Sequence, residues 1–277
     1  MTSVLEELDS PRQIPAPPRR SVLPSRLGLL SAAGVVGLLV LGYHYAEVSP
    51  KALVHGYHGL VGFVGDALPP DLSWDKTIHP GLSALLVTFA IGVMATFFSL
   101  PFSFALALVG SRTTNPNVLS FQVARALMSV LRSVPTIVMG LIFLTAVGLG
   151  PFSATLGLAV HSSGITSKLW AEAMDDMDHG PVEAVRATGA SRWQVLLHAI
   201  LPSVAPTFIG LTLYRLDVNV REAVALGVIG AGGVGLLVDQ SINEFRFDQV
   251  STYVILVLVL VIGVDQLSTY IRKRLSL

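Results

Sequence analysis

Residues 172–202 read EAMDDMDHGPVEAVRATGASRWQVLLHAILP, a polar helix–turn–helix set between long apolar stretches. The local chemistry predicts two short helices. Gly180 caps the first, Pro181 fits its first turn, and Glu183 falls at the third position, near the positive end of the helix dipole. Gly189 supplies the left-handed residue that ends it. Ser191 and Gln194 have the spacing of a capping box for the second. A membrane protein has little reason to hold such a structured loop on one face unless something docks there. The spacing alone leaves an ordinary connector open.

The flanking sequence is that of a membrane protein. Of 277 residues, 52% are hydrophobic and only 13% charged, and the mean hydropathy is +0.67. Soluble domains carry roughly 25% charged residues. Six apolar runs, 27–45, 82–109, 133–149, 152–169, 203–229 and 250–271, predict an all-α membrane protein of about six transmembrane helices. The runs are continuous rather than alternating, which argues against a β-barrel. The third and fourth are short and meet at a tight Gly148-Leu149-Gly150-Pro151 turn. Zero net charge argues against a nucleic-acid partner. The absence of cysteine removes disulfides, thiolate metal sites and cysteine nucleophiles.

Basic residues orient the runs. Arg12, Arg19, Arg20, Arg26, Arg112, Arg125, Arg132, Lys168, Arg186, Arg192, Arg272, Lys273 and Arg274 all fall on one side of a six-helix topology. Lys51, Lys76 and Arg246 fall on the other. The positive-inside rule places the larger set, both termini and the helix–turn–helix in the cytoplasm. Residues 1–25, with five prolines, read as a disordered cytoplasmic tail rather than a cleaved signal peptide. Residues 26–79 supply the first span and an extracytoplasmic segment. Within it Leu53, Val54, Tyr57, Leu60, Val61, Val64 and Leu68 recur at the spacing of an interfacial helix.

Arg215, Asp217, Arg221 and Glu222 lie inside the fifth apolar run, where charge is costly and faces a cavity or a partner. Asp217 and Arg221 can pair four residues apart. Arg215 has only Asn219 as its i+4 neighbour, and its planar fork would suit phosphate or phosphonate oxygens. Pairing between helices for structure alone is the other reading. His161 sits with Ser162, Ser163 and Thr166 in the fourth run; the serines read as packing contacts, and no metal-ligand spacing surrounds the histidine. Gly230, Gly232, Gly233 and Gly235 form a G-x-G-x-x-G pattern. Only 42 residues follow Gly235, and 250–271 among them read as a span, so no doubly wound sheet fits. A flexible loop at the outer mouth of a pathway is the better reading. No P-loop, G-x-S-x-G elbow or H-E-x-x-H pair occurs.

The helix–turn–helix resembles the EAA loop of bacterial ABC importer permeases, which has the form EAA, three residues, G, nine residues, I-x-L-P. Glu183 and Ala184 match, Val185 replaces the second alanine, Gly189 falls at the glycine, and Leu201 and Pro202 match the end. Ala199 stands where isoleucine is usual, with Ile200 one place later. More of the chain is similar to the phosphonate transporter permeases. The residues that carry this are Arg132 to Pro135, Gly148 to Phe152, His161, Lys168 to Ala173, Gly180 to Glu183, Arg186 to Ala190, Leu213 to Arg215, Asn219 to Arg221 and Gly227 to Gly235. Glu222 and Ala223 depart from that branch, where small hydroxyl residues are common.

The resemblance covers residues 80–275 and implies a type I, MetI-like permease domain with its coupling loop at 172–202. It implies a homodimer in the bacterial inner membrane, a separate cytosolic ATPase dimer that carries ATP and Mg, and an extracytoplasmic binding protein. This chain would hold no cofactor, metal or catalytic residue. Glu183, Ala184, Arg186, Gly189, Leu201 and Pro202 would form the ATPase-coupling loop. His161, Arg215, Asp217, Asn219, Arg221 and Glu222 would line or stabilise the route. Rival readings are the same fold serving phosphite, phosphate or methionine, an ATP-independent channel or secondary transporter, and a membrane oxidoreductase using the glycine motif.

Overall fold

A computed structural model of the chain describes residues 26–47 and 49–275. The expected tail over residues 1–25 lies outside them. The described residues hold helices and their connections, with no strand. Two compact units divide the chain, Met1–Leu60 and Val61–Leu277. The first contains α1 (Arg26–Tyr45), whose stretch Gly28–Tyr45 is apolar and long enough to cross a bilayer. Helix α2 (Pro50–Ala67) follows. Its exposed Tyr57, Leu60, Val61 and Val64 have the helical spacing seen in the sequence.

In the second unit a π-helical turn, Trp74–Ile78, runs directly into α3 (His79–Gly110). Then come α4 (Val118–Ser133), α5 (Thr136–Val147), α6 (Pro151–Asp175), α7 (Gly180–Ala187) and α8 (Arg192–Val195). A second π turn, Leu196–Ile200, joins α8 to α9 (Leu201–Leu226). A third, Gly227–Ala231, precedes α10 (Val234–Asn243) and α11 (Phe247–Leu275).

Four stretches are long and apolar enough to span: Gly28–Tyr45, Trp74–Gly110, Arg192–Ala231 and Phe247–Arg274. A fifth is the pair α4 and α5, bent by 87°. The run 133–149 is therefore not a straight span of its own. Pro135 keeps Val134 extended (φ −78°, ψ 121°), so the helix breaks there. The 12 residues of α5 reach only about 18 Å, against a hydrocarbon core of about 30 Å. The run 152–169 lies in α6, whose 25 residues reach about 37 Å and whose side chains are mostly enclosed.

Helix α6 is the centre of this unit, and its small residues make that possible. In lipid, helices associate through close van der Waals contact rather than through the hydrophobic effect. A Cβ on Gly157 would lie 2.9 Å from the Cα of Gly140 in α5, and one on Gly164 would lie 2.5 Å from the Cβ of Leu131 in α4. On α3, a Cβ at Gly92 would lie 2.9 Å from the Cα of Val220 in α9. Backbones meet at these crossings, which leaves no room for larger side chains.

At the end of the unit where α3 begins, Asp71 ties the entering chain to α11. Its amide donates to the Asp248 carbonyl (3.2 Å), and its own carbonyl accepts from the Thr252 hydroxyl (2.8 Å). Its carboxylate accepts from the Thr77 hydroxyl (2.5 Å) and from the amide and hydroxyl of Ser73 (2.9 Å each). Those donors, Thr77 first, hold its pKa down to about 2 from an ordinary 3.8. A depressed carboxylate stabilises the fold above the unfolded value and loses that contribution as pH falls through the folded one. Melting of the detergent-solubilised protein should therefore weaken between pH 4 and pH 2 more steeply than melting of Asp71→Asn. Equal slopes over that window would remove Asp71 as a tie.

Candidate coupling loop and translocation helix

Helix α7 begins one residue earlier than a Gly180 cap would place it. The cap is His179, and Gly180 is the first helical residue, its amide held by Asp178 Oδ1 at 3.0 Å. Asp178 makes the local turn that the glycine was expected to make. Gly189 takes φ +81° and ends the helix region as expected. The Ser191–Gln194 capping box is present in both directions, with the Ser191 amide donating to Gln194 Oε1 at 2.8 Å.

The second helix does not end at Leu201 and Pro202. It passes through the π turn Leu196–Ile200 into α9 and runs on until the backbone kinks at Ile229 and Gly230 (φ 101°). Pro202 has no N–H to give and its ring crowds the carbonyl four residues back; the wider π turn just before it relieves that conflict. Leu201 is half-buried and Pro202 exposed on this rod.

One face of the loop is buried. Val182, Val195, Leu196, Ala199 and Ile200 join a core with Met128, Trp170, Met174 and Phe208. Trp170 of α6 stacks on Phe208 of α9, ring centroids 4.4 Å apart and nearly parallel. The opposite face, with Glu183, Ala184, Arg186, Gly189, Trp193 and Leu197, is exposed. Trp193 and Leu197 are the large apolar side chains on that exposed face.

Asp175 at the end of α6 secures this region. One of its oxygens accepts from the Ser111 hydroxyl (2.6 Å) and from the amides of Arg112 (2.8 Å) and Thr113 (3.2 Å). The other oxygen pairs with Arg125 of α4 at 2.9 Å. Arg125 also donates to the Gly110 carbonyl (2.7 Å), while Thr114 and Asn115 satisfy the carbonyls of Leu108 (2.5 Å) and Val109 (2.7 Å). The free end of α3 is thus closed by side chains.

The six residues expected on the route divide between two faces of α9 and the middle of α6. At about 100° per residue, Arg215, Asn219 and Glu222 form one stripe, and Asp217 with Arg221 lies opposite. Arg215, only 4% exposed, donates to Ser162 Oγ of α6 (2.8 Å) and to Asn219 Oδ1 (2.9 Å). Asn219 accepts from Ser162 (2.6 Å) and donates to Thr96 of α3 (2.8 Å). Three helices are joined there. Glu222, two turns beyond Arg215, is its acidic partner at 3.8 Å, one the i+4 pattern did not disclose. His161 is buried and feels the charges of both Glu222 and Arg215. Arg215 Nε, His161 Nδ1 and Glu222 Oε2 are buried without hydrogen-bond partners. On the other face Asp217 is buried and pairs with Arg221, whose side chain is 51% exposed.

The glycine loop sits at the far end of α6 from the coupling loop. Gly230, Gly232 and Gly233 have positive φ (101°, 85° and 72°). A side chain at Gly233 would strike the Thr88 hydroxyl, which accepts from the Val234 amide at 2.9 Å. Gly235 is needed for closeness instead: a Cβ there would lie 2.1 Å from the Val224 carbonyl. A ten-residue helix follows, and no strand precedes it, so the dinucleotide pattern has none of its usual setting. Among the described residues no group of three His, Asp or Glu is placed to hold a metal.

Residues 99–277 match the family described as binding-protein-dependent transport system inner membrane component. The chain belongs to that family. The permease is 38% identical over 242 residues to a phosphite transport system permease protein of Stutzerimonas stutzeri, covering 87% of this chain and 86% of that one. It is 36% identical to a phosphate-import permease protein of Mycolicibacterium smegmatis, covering 94% of this chain and 48% of that protein. Its fold matches that of a methionine ABC transporter solved in an inward facing conformation, with a TM-score of 0.61 at 22% identity over 72% of this chain and 95% of that one.

The sequence reading missed the Asp175 hub in this permease. An acid at a helix C-terminus opposes the helix dipole, and that misplacement was the available signal. Asp175→Ala should cost about 1–3 kcal/mol through the lost Arg125 pair, the unpaired Ser111 hydroxyl and the released amides, read as a lower melting temperature. Lys168→Ala removes only a partly exposed 3.7 Å pair with Glu172 and should stay within about 0.5 kcal/mol. Equal shifts for the two variants would refute the hub.

Proposed function

We propose that this permease imports a small tetrahedral phosphorus oxyanion, phosphite or phosphonate, as one half of a homodimer. A separate cytosolic ATPase dimer, the site of ATP and Mg chemistry, drives it, and an extracytoplasmic protein delivers the solute. The observation that carries the solute is the 38% identity, over 87% of the chain, to a permease named for phosphite. The likeness to a permease named for phosphate keeps that anion as the second reading.

The asymmetry of basic residues supports a cytoplasmic coupling loop and cytoplasmic termini. ATPase closure would press on the exposed face around Glu183, Ala184, Arg186 and Gly189. The buried face would carry that push through the Trp170–Phe208 stack into the long helix 192–228. Rocking of the rod moves Arg215 and Glu222 together, since both lie on it. Glu222 neutralises Arg215 in the absence of solute. An entering oxyanion would compete for the unused Nε–H of Arg215, whose planar fork suits phosphorus oxygens. His161 stands close enough to answer the change of charge. The glycine loop, with its positive φ angles, lies where the outer mouth is expected.

The test uses the complete transporter, with its ATPase and binding protein, in proteoliposomes. ATP-dependent uptake of labelled phosphite should be competed by methylphosphonate and not by methionine. Uptake of methionine with no response to any phosphorus oxyanion would refute the reading. Gly189→Val places a β-branched residue at φ +81°, at a cost of roughly 1–3 kcal/mol. That variant should assemble and hydrolyse ATP yet lose uptake per ATP consumed. A normal ratio of uptake to hydrolysis would show that the loop does not transmit the stroke.

A further inference from the structure

A cavity of about 1020 Å³ opens between the loop joining α3 to α4 and the coupling loop. Its lining is amphipathic. Leu108, from the end of α3, and Ile200, from the π turn, form part of an apolar side. Arg112, Arg186 and Arg192 bring three positive charges, and no aspartate or glutamate lines the space. Among the described residues none of these arginines has an acidic partner. Asp175, the nearby acid, is already occupied by Ser111, Arg125 and the Arg112 amide.

The cavity also sits at a definite level. It lies where α3 stops, its last carbonyls closed by Thr114, Asn115 and Arg125. Trp193, 69% exposed, stands on its rim. Tryptophan gathers at the boundary between hydrocarbon and water. A free inorganic anion would match the arginines and leave the half-buried Leu108 and the exposed Val109, both in the lining, facing water. An acidic protein surface would have the same defect. A ligand with an anionic head and apolar tails matches both sides.

We propose that this cleft binds the headgroup of an anionic phospholipid, with its acyl chains along the apolar side, and so braces the coupling loop against the α3–α4 loop. The inference does not depend on which solute is carried.

The experiment uses the complete transporter in nanodiscs of phosphatidylcholine containing a minor fraction of phosphatidylglycerol. Lipid retained through detergent extraction is counted by mass spectrometry. Wild type should retain phosphatidylglycerol, and Arg112→Gln/Arg192→Gln should hold it roughly 30-fold more weakly. Arg112→Lys/Arg192→Lys, which keeps the charge, should restore most of the retention, separating loss of binding from loss of fold. Millimolar inorganic phosphate should not displace the lipid. Equal retention by wild type and the glutamine pair would overturn the proposal. So would full displacement by phosphate, which would mark a site for free anion. Loss of the ATPase subunit from the glutamine pair with lipid retention unchanged would overturn it too, and assign the cleft to subunit docking.

Discussion

The second unit is organised around one long helix, 192–228, that ends in the kink at Ile229 and Gly230. Its roughly 37 residues reach about 55 Å. Within hydrocarbon the backbone must satisfy its own polar groups, and a long helix does so along most of its length. The exposed face of the 180–202 loop, the stacked Phe208 and the buried Arg215 follow one another along this helix, and the glycine loop begins at its kink. The π turn Leu196–Ile200 and Pro206 are the irregular points between the loop and Arg215. Close-packed helices of this kind shift between discrete packed arrangements, which converts small displacements into distinct states.

The charged residues of α9 do different work on its two faces. Arg215 and Asn219 bind three helices into one polar contact with Ser162 and Thr96. Such contacts within a bundle are worth less than their count suggests, because the alternative state also finds partners. Their directional geometry nonetheless fixes the rotation of α9 about its axis. Atoms left without partners on Arg215, His161 and Glu222 cluster beside this contact. The Asp217–Arg221 pair lies on the other side, half in contact with the surroundings.

Much of this was legible in local chemistry. The left-handed Gly189, the capping box at Ser191 and the Asp217–Arg221 pair all follow from short-range rules, and all three are present. Apolar runs located the long helices. What failed was length and continuity. Hydropathy made 133–149 look like one element, although Pro135 divides it. The L-P pair at 201–202 closes the motif but not the helix, since a proline near the start of a helical turn is tolerated. Contacts across distance were invisible: Glu222 to Arg215 is two turns along a helix, and Asp175 to Ser111 is 64 residues apart. No spacing rule reaches that far.

The π turn Leu196–Ile200 has one more consequence. Such a turn holds one residue more than an α turn, so it behaves as an absorbed insertion. Ala199 and Ile200 are both buried, and a branched side chain displaced by one position still finds the interior. The same feature sets the phase between the two ends of the rod. Removing a single residue there would restore ordinary α geometry with Trp193 and Arg215 kept in phase, whereas winding the same residues into plain α-helix would turn the surface carrying Trp193 by about 100° relative to Arg215. Bulge and helix together act as a keyway, in which one residue of chain length fixes the angle between the exposed Trp193 and the buried Arg215.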